Sequence, residues 1–300
     1  MTPVRVRDAL RAASARLAAA GVGDPAREAR WLLAHALGVP LSDPALLPDR
    51  PLPEEVAGAF WRAVERRAAR EPLAYILGTQ EFMGLTLRVT RDVLVPRADT
   101  AVLVEAAVEA LREAFPGATE LRVADVGTGS GCIAVAICRL LPQARVWATD
   151  VAPAALAVAR ENAASVGCAG RVTFLEGDLL DPLPPALRLH AIVSNPPYVA
   201  EDEWPGLMPE VREYEPRQAL LAGPDGLAVI RRLVAGAPER LEPGGVLALE
   251  VGYRQAEAVL ALLRARGLEA AARRDPAGHL RAVIGRLTGW PRRGPQPGGG

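Results

Sequence analysis

Leu121-Arg122-Val123-Ala124-Asp125-Val126-Gly127-Thr128-Gly129-Ser130-Gly131 decides the fold. Its first six residues read as a strand, and residues 132–141 carry apolar side chains at helical spacing. Three glycines lie between them. Glycine lets the backbone turn tightly and approach a ligand closely, while free N–H groups and the helix dipole favour an anionic group at that helix start. A strand, a glycine loop and a helix in this order predict an α/β domain whose ligands bind at the carboxyl ends of its strands.

The spacing narrows the ligand. A dinucleotide fingerprint, G-x-G-x-x-G, needs glycine at position 132; the chain has Cys132 there, with Gly131 one residue earlier. The G-x-G-x-G form favours S-adenosylmethionine over NAD, which makes Gly127, Thr128, Gly129, Ser130 and Gly131 the expected cofactor contacts. The next apolar run, 144–149, ends at Asp150, where an acid accepts both ribose hydroxyls. A third strand, 172–175, leads to Asp178 and Leu179 and places Asp178 near an adenine amino group, although an ordinary acidic turn reads equally well. Further runs at 189–194, 246–251, 268–273 and 280–287, most of them separated by helical segments, bring the sheet to seven strands, the last two a hairpin.

The fourth strand runs into Asn195-Pro196-Pro197-Tyr198. Asn195 offers a side-chain carbonyl as acceptor, the prolines stiffen the turn and leave main-chain carbonyls without a competing local N–H, and Tyr198 supplies a flat face. Alone, the tetrapeptide reads equally well as a Pro-rich turn. Beside a cofactor loop it suits methyl transfer to a planar nitrogen, with adenine, cytosine and glutamine all admissible.

Residues 123–137, Asp150 and 194–199 resemble the Rossmann-like methyltransferases that modify amide or exocyclic amino nitrogens. Glu71-Pro72-Leu73-Ala74-Tyr75-Ile76-Leu77-Gly78, Glu81-Phe82, Val95-Pro96-Arg97-Ala98-Asp99-Thr100, and Tyr214-Glu215-Pro216 with Ala219-Leu220 and Gly223-Pro224-Asp225-Gly226 are similar to the HemK/PrmC family. The resemblance spans residues 70 to 287, with departures at Ala98, Ala101 and Leu179. It implies methylation of the glutamine in the Gly-Gly-Gln motif of class 1 peptide chain release factors, giving N(5)-methylglutamine. Asn195, Pro196 and Tyr198 would then be catalytic: the Asn195 side-chain oxygen and the Pro196 carbonyl accept the two amide N–H bonds, and Tyr198 packs against the amide plane. Pro197 completes the expected substrate site. A ribosomal-protein glutamine or DNA adenine-N6 methyltransferase uses the same chemistry, and a scaffold that binds S-adenosylmethionine without turnover is the non-enzymatic alternative.

Charge weighs among these. Lys+Arg and Asp+Glu each total 35 in 300 residues, and a chain without excess positive charge argues against a nucleic-acid partner. His35, His190 and His279 are scattered, and Cys132, Cys138 and Cys168 form no C-x-x-C pair, so no metal site is expected. A low cysteine count, no leader over residues 1–21 and no apolar stretch of membrane-spanning length give the expectation of a cytoplasmic protein without a membrane partner. A monomer is expected.

Residues 1–75 read as short amphipathic helices over 6–20, 25–37 and 54–69, a separate domain for release-factor recognition. Residues 76–98 are expected to be a linker carrying a β-hairpin, with strands 86–89 and 93–95 joined at Thr90-Arg91-Asp92. The methyltransferase domain is expected over 99–289, with a disordered tail at 290–300. The insertion at 199–226 is long enough to wall or cover a glutamine pocket.

Overall fold

The computed structural model of the chain describes residues 4–287, so the tail expected over 290–300 lies outside the described residues. The described residues divide into two units, 4–80 with 207–215, and 81–206 with 216–287. The boundary expected at 75 falls at 80, and part of the insertion belongs to the first unit. Residues 81–98 are no linker: Phe82, Leu87, Val89, Val93 and Val95 are all buried, and the apolar side chains that suggested strands are there to fill the second unit's interior.

The first unit is helical, with α1 (Val6–Ala19), α2 (Pro25–Leu37), α3 (Glu54–Ala68) and the short α4 (Leu73–Leu77). Val6, Ala9, Ala13 and Leu17 recur every three or four residues along α1, and all are buried. They pack with Leu32 and Leu33 of α2, Phe60 and Val64 of α3, and Ile76 of α4. The Asp24 carboxylate accepts from the Arg27 N–H at 3.4 Å, Pro25 opens α2, and Gly38 closes it in the left-handed conformation. From α3, Arg67 reaches Glu28 of α2 at 2.5 Å and Glu210 of the returning segment at 3.0 Å, and Arg70 holds the same Glu210 at 2.7 Å.

The hairpin pairs β1 (Thr79–Phe82) with β2 (Leu85–Arg88). Its turn is Met83-Gly84, both with positive φ, 49° and 75°. That is the conformation of the tightest two-residue hairpin turn, and the expected 86–89 and 93–95 pairing is wrong because methionine carries no turn signal. Thr90-Arg91-Asp92 is only a local turn: the Thr90 hydroxyl donates to Asp92 at 2.9 Å, and Val93 returns to the Thr90 carbonyl at 3.2 Å.

The second unit continues with α5 (Thr100–Ala114), β3 (Leu121–Val126), α6 (Cys132–Leu140), β4 (Ala144–Asp150), α7 (Pro153–Ser165), β5 (Val172–Glu176) and β6 (Leu189–Ser194). After the insertion, whose α8 (Pro209–Tyr214) lies in the first unit, come α9 (Ala228–Arg240), β7 (Leu241–Glu250), α10 (Ala256–Ala265), β8 (Leu268–Arg274) and β9 (Leu280–Leu287). The seven strands order as β5-β4-β3-β6-β7-β9-β8. Strands β3 to β7 all run parallel to one another, and β9 is antiparallel to both β7 and β8.

Side chains alternate across this sheet. Val123, Ala191, Val193, Val246 and Ala248 face a core with Leu103 of α5 and Ile133 of α6. Ala124, Val126, Ile192, Leu247 and Leu249 face the other core, with Leu233 of α9 and Leu263 of α10. Helices therefore cover both faces, which is why the inner strands are continuously apolar. Strand order reverses at β3, which is flanked by β4 on one side and β6 on the other, and ligands bind at the carboxyl end of such a reversal.

Candidate active site

The glycine loop leaves β3 and Asn195 leaves β6, and these strands are direct neighbours, with Asp125 opposite Val193. The Ser194 hydroxyl donates to the Val126 carbonyl at 2.6 Å and ties the two strand ends together. Gly127, Gly129 and Gly131 have φ of 71°, 54° and 80°, the left-handed region that favours glycine. At Gly131 there is a second reason: a Cβ would lie 3.0 Å from the Cβ of Ala159 on α7.

Side chains fix the loop from three directions. The Asp150 Oδ2 accepts from the Gly129 N–H at 2.9 Å, and its Oδ1 accepts from the Ala152 N–H at 2.9 Å. Buried Asn162 of α7 donates to the Ser130 carbonyl at 2.8 Å and to the Arg88 carbonyl at 2.9 Å, and accepts from the Arg88 N–H at 2.7 Å. Below the loop, Asp125 accepts from the Thr128 hydroxyl at 2.5 Å and from the Ala134 N–H at 3.0 Å. Burial pushes the Asp125 carboxyl up to about 7, with Asp150 adding to the rise and the bonds from Thr128 and Ala134 opposing it.

A pocket of about 200 Å³ opens over this loop. Of the residues expected to bind cofactor or substrate, Gly127, Thr128, Gly129, Ser130, Asp150, Asp178, Leu179, Asn195 and Pro197 line it; Gly131, Pro196 and Tyr198 do not. Asp178 is engaged by Arg232 at 2.6 Å. Leu179 takes a positive φ of 49°, and its carbonyl accepts from the Thr149 hydroxyl at 2.9 Å, so a strained residue is pinned at the pocket rim. None of the three histidines lines the pocket. His190 is instead structural: its Nδ1 accepts from the Arg122 N–H at 2.9 Å, and burial, then Arg122, lowers its pKa.

Val93, Pro96, Arg97, Thr100, Pro216 and Gln218 also line the pocket, although sequence reasoning did not assign them to it. For Pro96, Arg97, Thr100 and Pro216 the signal was present in the Val95 to Thr100 and Tyr214 to Pro216 motifs, but a motif match does not say which of its side chains faces a ligand. Thr100 has a definite partner. The Asn195 Nδ2 donates to its hydroxyl oxygen at 3.3 Å, and no donor is paired with the Asn195 Oδ1 among the described residues.

Where a stacking face was expected of Tyr198, there is an anchor. Its hydroxyl donates to Glu250 Oε1 at 3.3 Å and its main-chain carbonyl accepts from the Gln255 side chain at 2.8 Å. Burial, then Glu250, raises the Tyr198 pKa. Glu250 ends β7 and is 1% exposed. Its burial raises the carboxyl pKa, while Thr100, Arg281 and Tyr198 draw it back down.

A glycine loop at the central strand, an acid ending the next and Asn-Pro-Pro-Tyr ending the neighbour on the other side define a Rossmann-like methyltransferase. Residues 8–78 match the PrmC N-terminal domain, and residues 101–207 match the methyltransferase small domain. The chain is 50% identical over 264 residues to the release factor glutamine methyltransferase of Moorella thermoacetica, covering 87% of this chain and 90% of that one. It is also 50% identical over 269 residues to the enzyme of the same name from Cereibacter sphaeroides, covering 88% and 92%. The chain belongs to the release factor glutamine methyltransferase family. The fold recurs in the hMettl16 catalytic domain solved with MAT2A 3'UTR hairpin 6, at 17% identity and a TM-score of 0.55 over 77% of this chain and 83% of that one.

Proposed function

We propose that the chain transfers a methyl group from S-adenosylmethionine to the side-chain amide nitrogen of a release-factor glutamine, the substrate being the Gly-Gly-Gln loop of class 1 factors. Membership of the family supports the activity. The observation that carries the site assignment is the set of the Asn195 amide, whose nitrogen is occupied by Thr100 and whose oxygen is left to meet a donor at the pocket.

The residues fit the cofactor. Two buried polar atoms at the glycine loop, Ser130 Oγ and Asp125 Oδ1, have no partner among the described residues, and Ser130 lines the pocket. The loop N–H groups would meet the carboxylate of the methionine part, Asp150 the ribose, and Ile133, Val151 and Leu179 the flat base, with Asp178 at its edge. When bound, S-adenosylmethionine supplies an electrophilic methyl carbon on a positively charged sulfur.

The protein's task is alignment, because an amide lone pair is delocalised into its carbonyl and is a poor nucleophile. The Asn195 Oδ1 and the Pro196 carbonyl accept the two amide N–H bonds, turn the nitrogen toward the methyl carbon and stabilise the positive charge that develops on it. Pro197 limits the room beside the amide, and Tyr198 holds the turn in place from behind. No strong base is needed, since a methylated amide is acidic enough to lose its proton to water. The helical unit recognises the body of the release factor. Among the described residues no helix is long and apolar enough to cross a membrane.

The test is to incubate the purified protein with labelled S-adenosylmethionine and a release factor, then map the methyl by mass spectrometry. Label on the Gly-Gly-Gln glutamine, lost in Asn195→Ala while cofactor binding persists, is the expected result. An unlabelled glutamine overturns the proposal.

A further inference from the structure

Proline has no N–H, so the middle of the Asn195-Pro196-Pro197-Tyr198 turn donates no main-chain hydrogen bond. Side-chain bonds hold the turn from its two ends. At the first, the Ser194 hydroxyl donates to the Val126 carbonyl at 2.6 Å and the Asn195 Nδ2 donates to the Thr100 hydroxyl at 3.3 Å. At the second, the Tyr198 carbonyl accepts from the Gln255 Nε2 at 2.8 Å.

Gln255 reaches beyond that carbonyl. Its Nε2 also donates to the Gly226 carbonyl at 3.3 Å and lies 3.5 Å from that of Asp225, while its Oε1 accepts from the Gly252 N–H at 3.0 Å. One side chain ties together the exit of the tetrapeptide, the turn at residues 223–226 and the start of α10. A glutamine amide has two ends of nearly equal shape, and only its partners decide its direction. Here a main-chain N–H can only donate and main-chain carbonyls can only accept, so the backbone fixes which way Gln255 points.

The residue is the N-cap of α10, where a side chain ordinarily accepts from the helix's own N–H groups, yet it makes no such bond. Its amide is spent on the turn instead. Gly226 leaves the space for it, since a Cβ there would stand 2.5 Å from the Gln255 Nε2 and 2.2 Å from the Tyr198 carbonyl oxygen. Just past Tyr198, the Val199 N–H donates to the Leu220 carbonyl at 2.8 Å and the Ala222 N–H to the Val199 carbonyl at 3.0 Å. The tetrapeptide is thus fastened to the segment whose Pro216, Gln218 and Ala219 line the pocket. Pro196 and Pro197 fix successive φ angles, so a displacement at Tyr198 is carried back to Asn195 rather than absorbed between them.

We infer that Gln255 is a positioning residue for methyl transfer: by holding the Tyr198 carbonyl against the 223–226 turn, it sets where the Asn195 amide stands at the pocket. The inference rests on the proposed role of Asn195 and deepens it.

The experiment compares wild type, Gln255→Met, Gln255→Glu, Gly226→Ala and the Gly226→Ala/Gln255→Met double variant. Methylation of a release factor is followed at saturating cofactor and substrate, below each variant's melting temperature, and S-adenosylmethionine affinity is measured by calorimetry. Gln255→Met keeps the length and loses every amide bond, and kcat falls on the order of 10-fold; Gln255→Glu keeps the bond from Gly252 but turns an oxygen toward the Tyr198 and Gly226 carbonyls, and kcat falls on the order of 100-fold, the cost of about 1 Å of misplacement. Cofactor affinity holds in both, because neither touches the glycine loop or Asp150. Gly226→Ala and Gln255→Met displace the same carbonyl, so their losses do not multiply in the double variant. A merely structural role would lower the melting temperature and leave the kcat of the folded enzyme unchanged. Wild-type kcat in Gln255→Glu and Gln255→Met, cofactor affinity falling in step with kcat, or losses that multiply in the double variant overturns the inference. If Gln255→Glu does not fold, Gln255→Met decides by the same measurements. A wild-type enzyme that leaves the glutamine unmethylated refutes the proposed function instead, so the two failures are separable.

Discussion

Gly226 lies far from the glycine loop in sequence, and replacing it with alanine is expected to damage catalysis more than folding. Its φ is +69°, and a Cβ built there would stand 2.2 Å from the Tyr198 carbonyl oxygen and 2.5 Å from the Gln255 Nε2. Contact with the oxygen is short by about 1 Å of an ordinary van der Waals approach. The Gln255 amide can swing away, but the Tyr198 carbonyl is main chain. It is held by Gln255 at 2.8 Å and belongs to a residue whose hydroxyl is held by Glu250. The strain is relieved by moving the tetrapeptide, and a misplacement of about 1 Å costs on the order of 100-fold in rate when alignment is the source of catalysis.

Gly167→Ala is the control, with φ +72° and no atom within 4 Å of its Cβ. Both variants carry the left-handed strain of alanine, about 1 kcal/mol; only Gly226→Ala adds the clash, worth about 1–3 kcal/mol of overpacking. Methylation of a release factor by each variant, read beside its melting temperature and S-adenosylmethionine affinity, separates the two terms. Expected is a fall of about 100-fold in kcat for Gly226→Ala with cofactor affinity nearly intact, and near-normal kcat for Gly167→Ala. Equal rates in the two variants would refute the reasoning.

Other consequences follow from the same contacts. Asp150→Ala removes the ribose acceptor and two charge-assisted bonds to the Gly129 and Ala152 N–H groups, so S-adenosylmethionine affinity in calorimetry should drop by at least about 10-fold; an unchanged Kd would reject the assignment. Asp125, raised by burial from an ordinary carboxyl value of 3.8 to about 7, keeps its proton in the folded state over a range where the unfolded chain has released it. Stability therefore falls as pH rises from about 4 to about 7 and levels off above. Denaturation of Asp125→Asn should lack that part of the slope, and an identical pH profile would count against a buried protonated acid. In the helical unit, Arg67 is 7% exposed between Glu28 and Glu210, at 15% and 13%, so Arg67→Ala should cost about 3–5 kcal/mol by urea denaturation. Arg16→Ala, at a pair exposed by 46% and 58%, should cost far less, because solvent screens the pair; similar losses at the two sites would show that burial is not the deciding variable.

Which parts were legible in the chain has a physical pattern. The seven strands, their closing hairpin and the three long helices of the first unit could be read because period and caps are local: α1 repeats its apolar positions every three or four residues, and α2 begins at Asp24-Pro25 and ends at Gly38. The β1 and β2 hairpin was misplaced because its turn is set by two positive φ values, one of them on Met83, a residue type with no turn preference. The allegiance of residues 207–215 to the helical unit was invisible for another reason: Arg67, Arg70 and Glu210 meet across more than 130 positions of chain.

The sequence by itself determined the chemistry on offer: a glycine loop that only left-handed backbone can form, an acid one strand later, and an asparagine amide stiffened by two prolines. Those properties belong to single residues or to neighbours along the chain. Tertiary structure decided direction. Asp150 turned out to brace the loop, Tyr198 to anchor the turn from behind, Asn162 to hold the loop and Thr100 to hold the Asn195 amide nitrogen, each from a different element. A hydrogen bond has an orientation that depends on where both partners stand, and partners brought together by strand order leave no spacing in the sequence from which to read it.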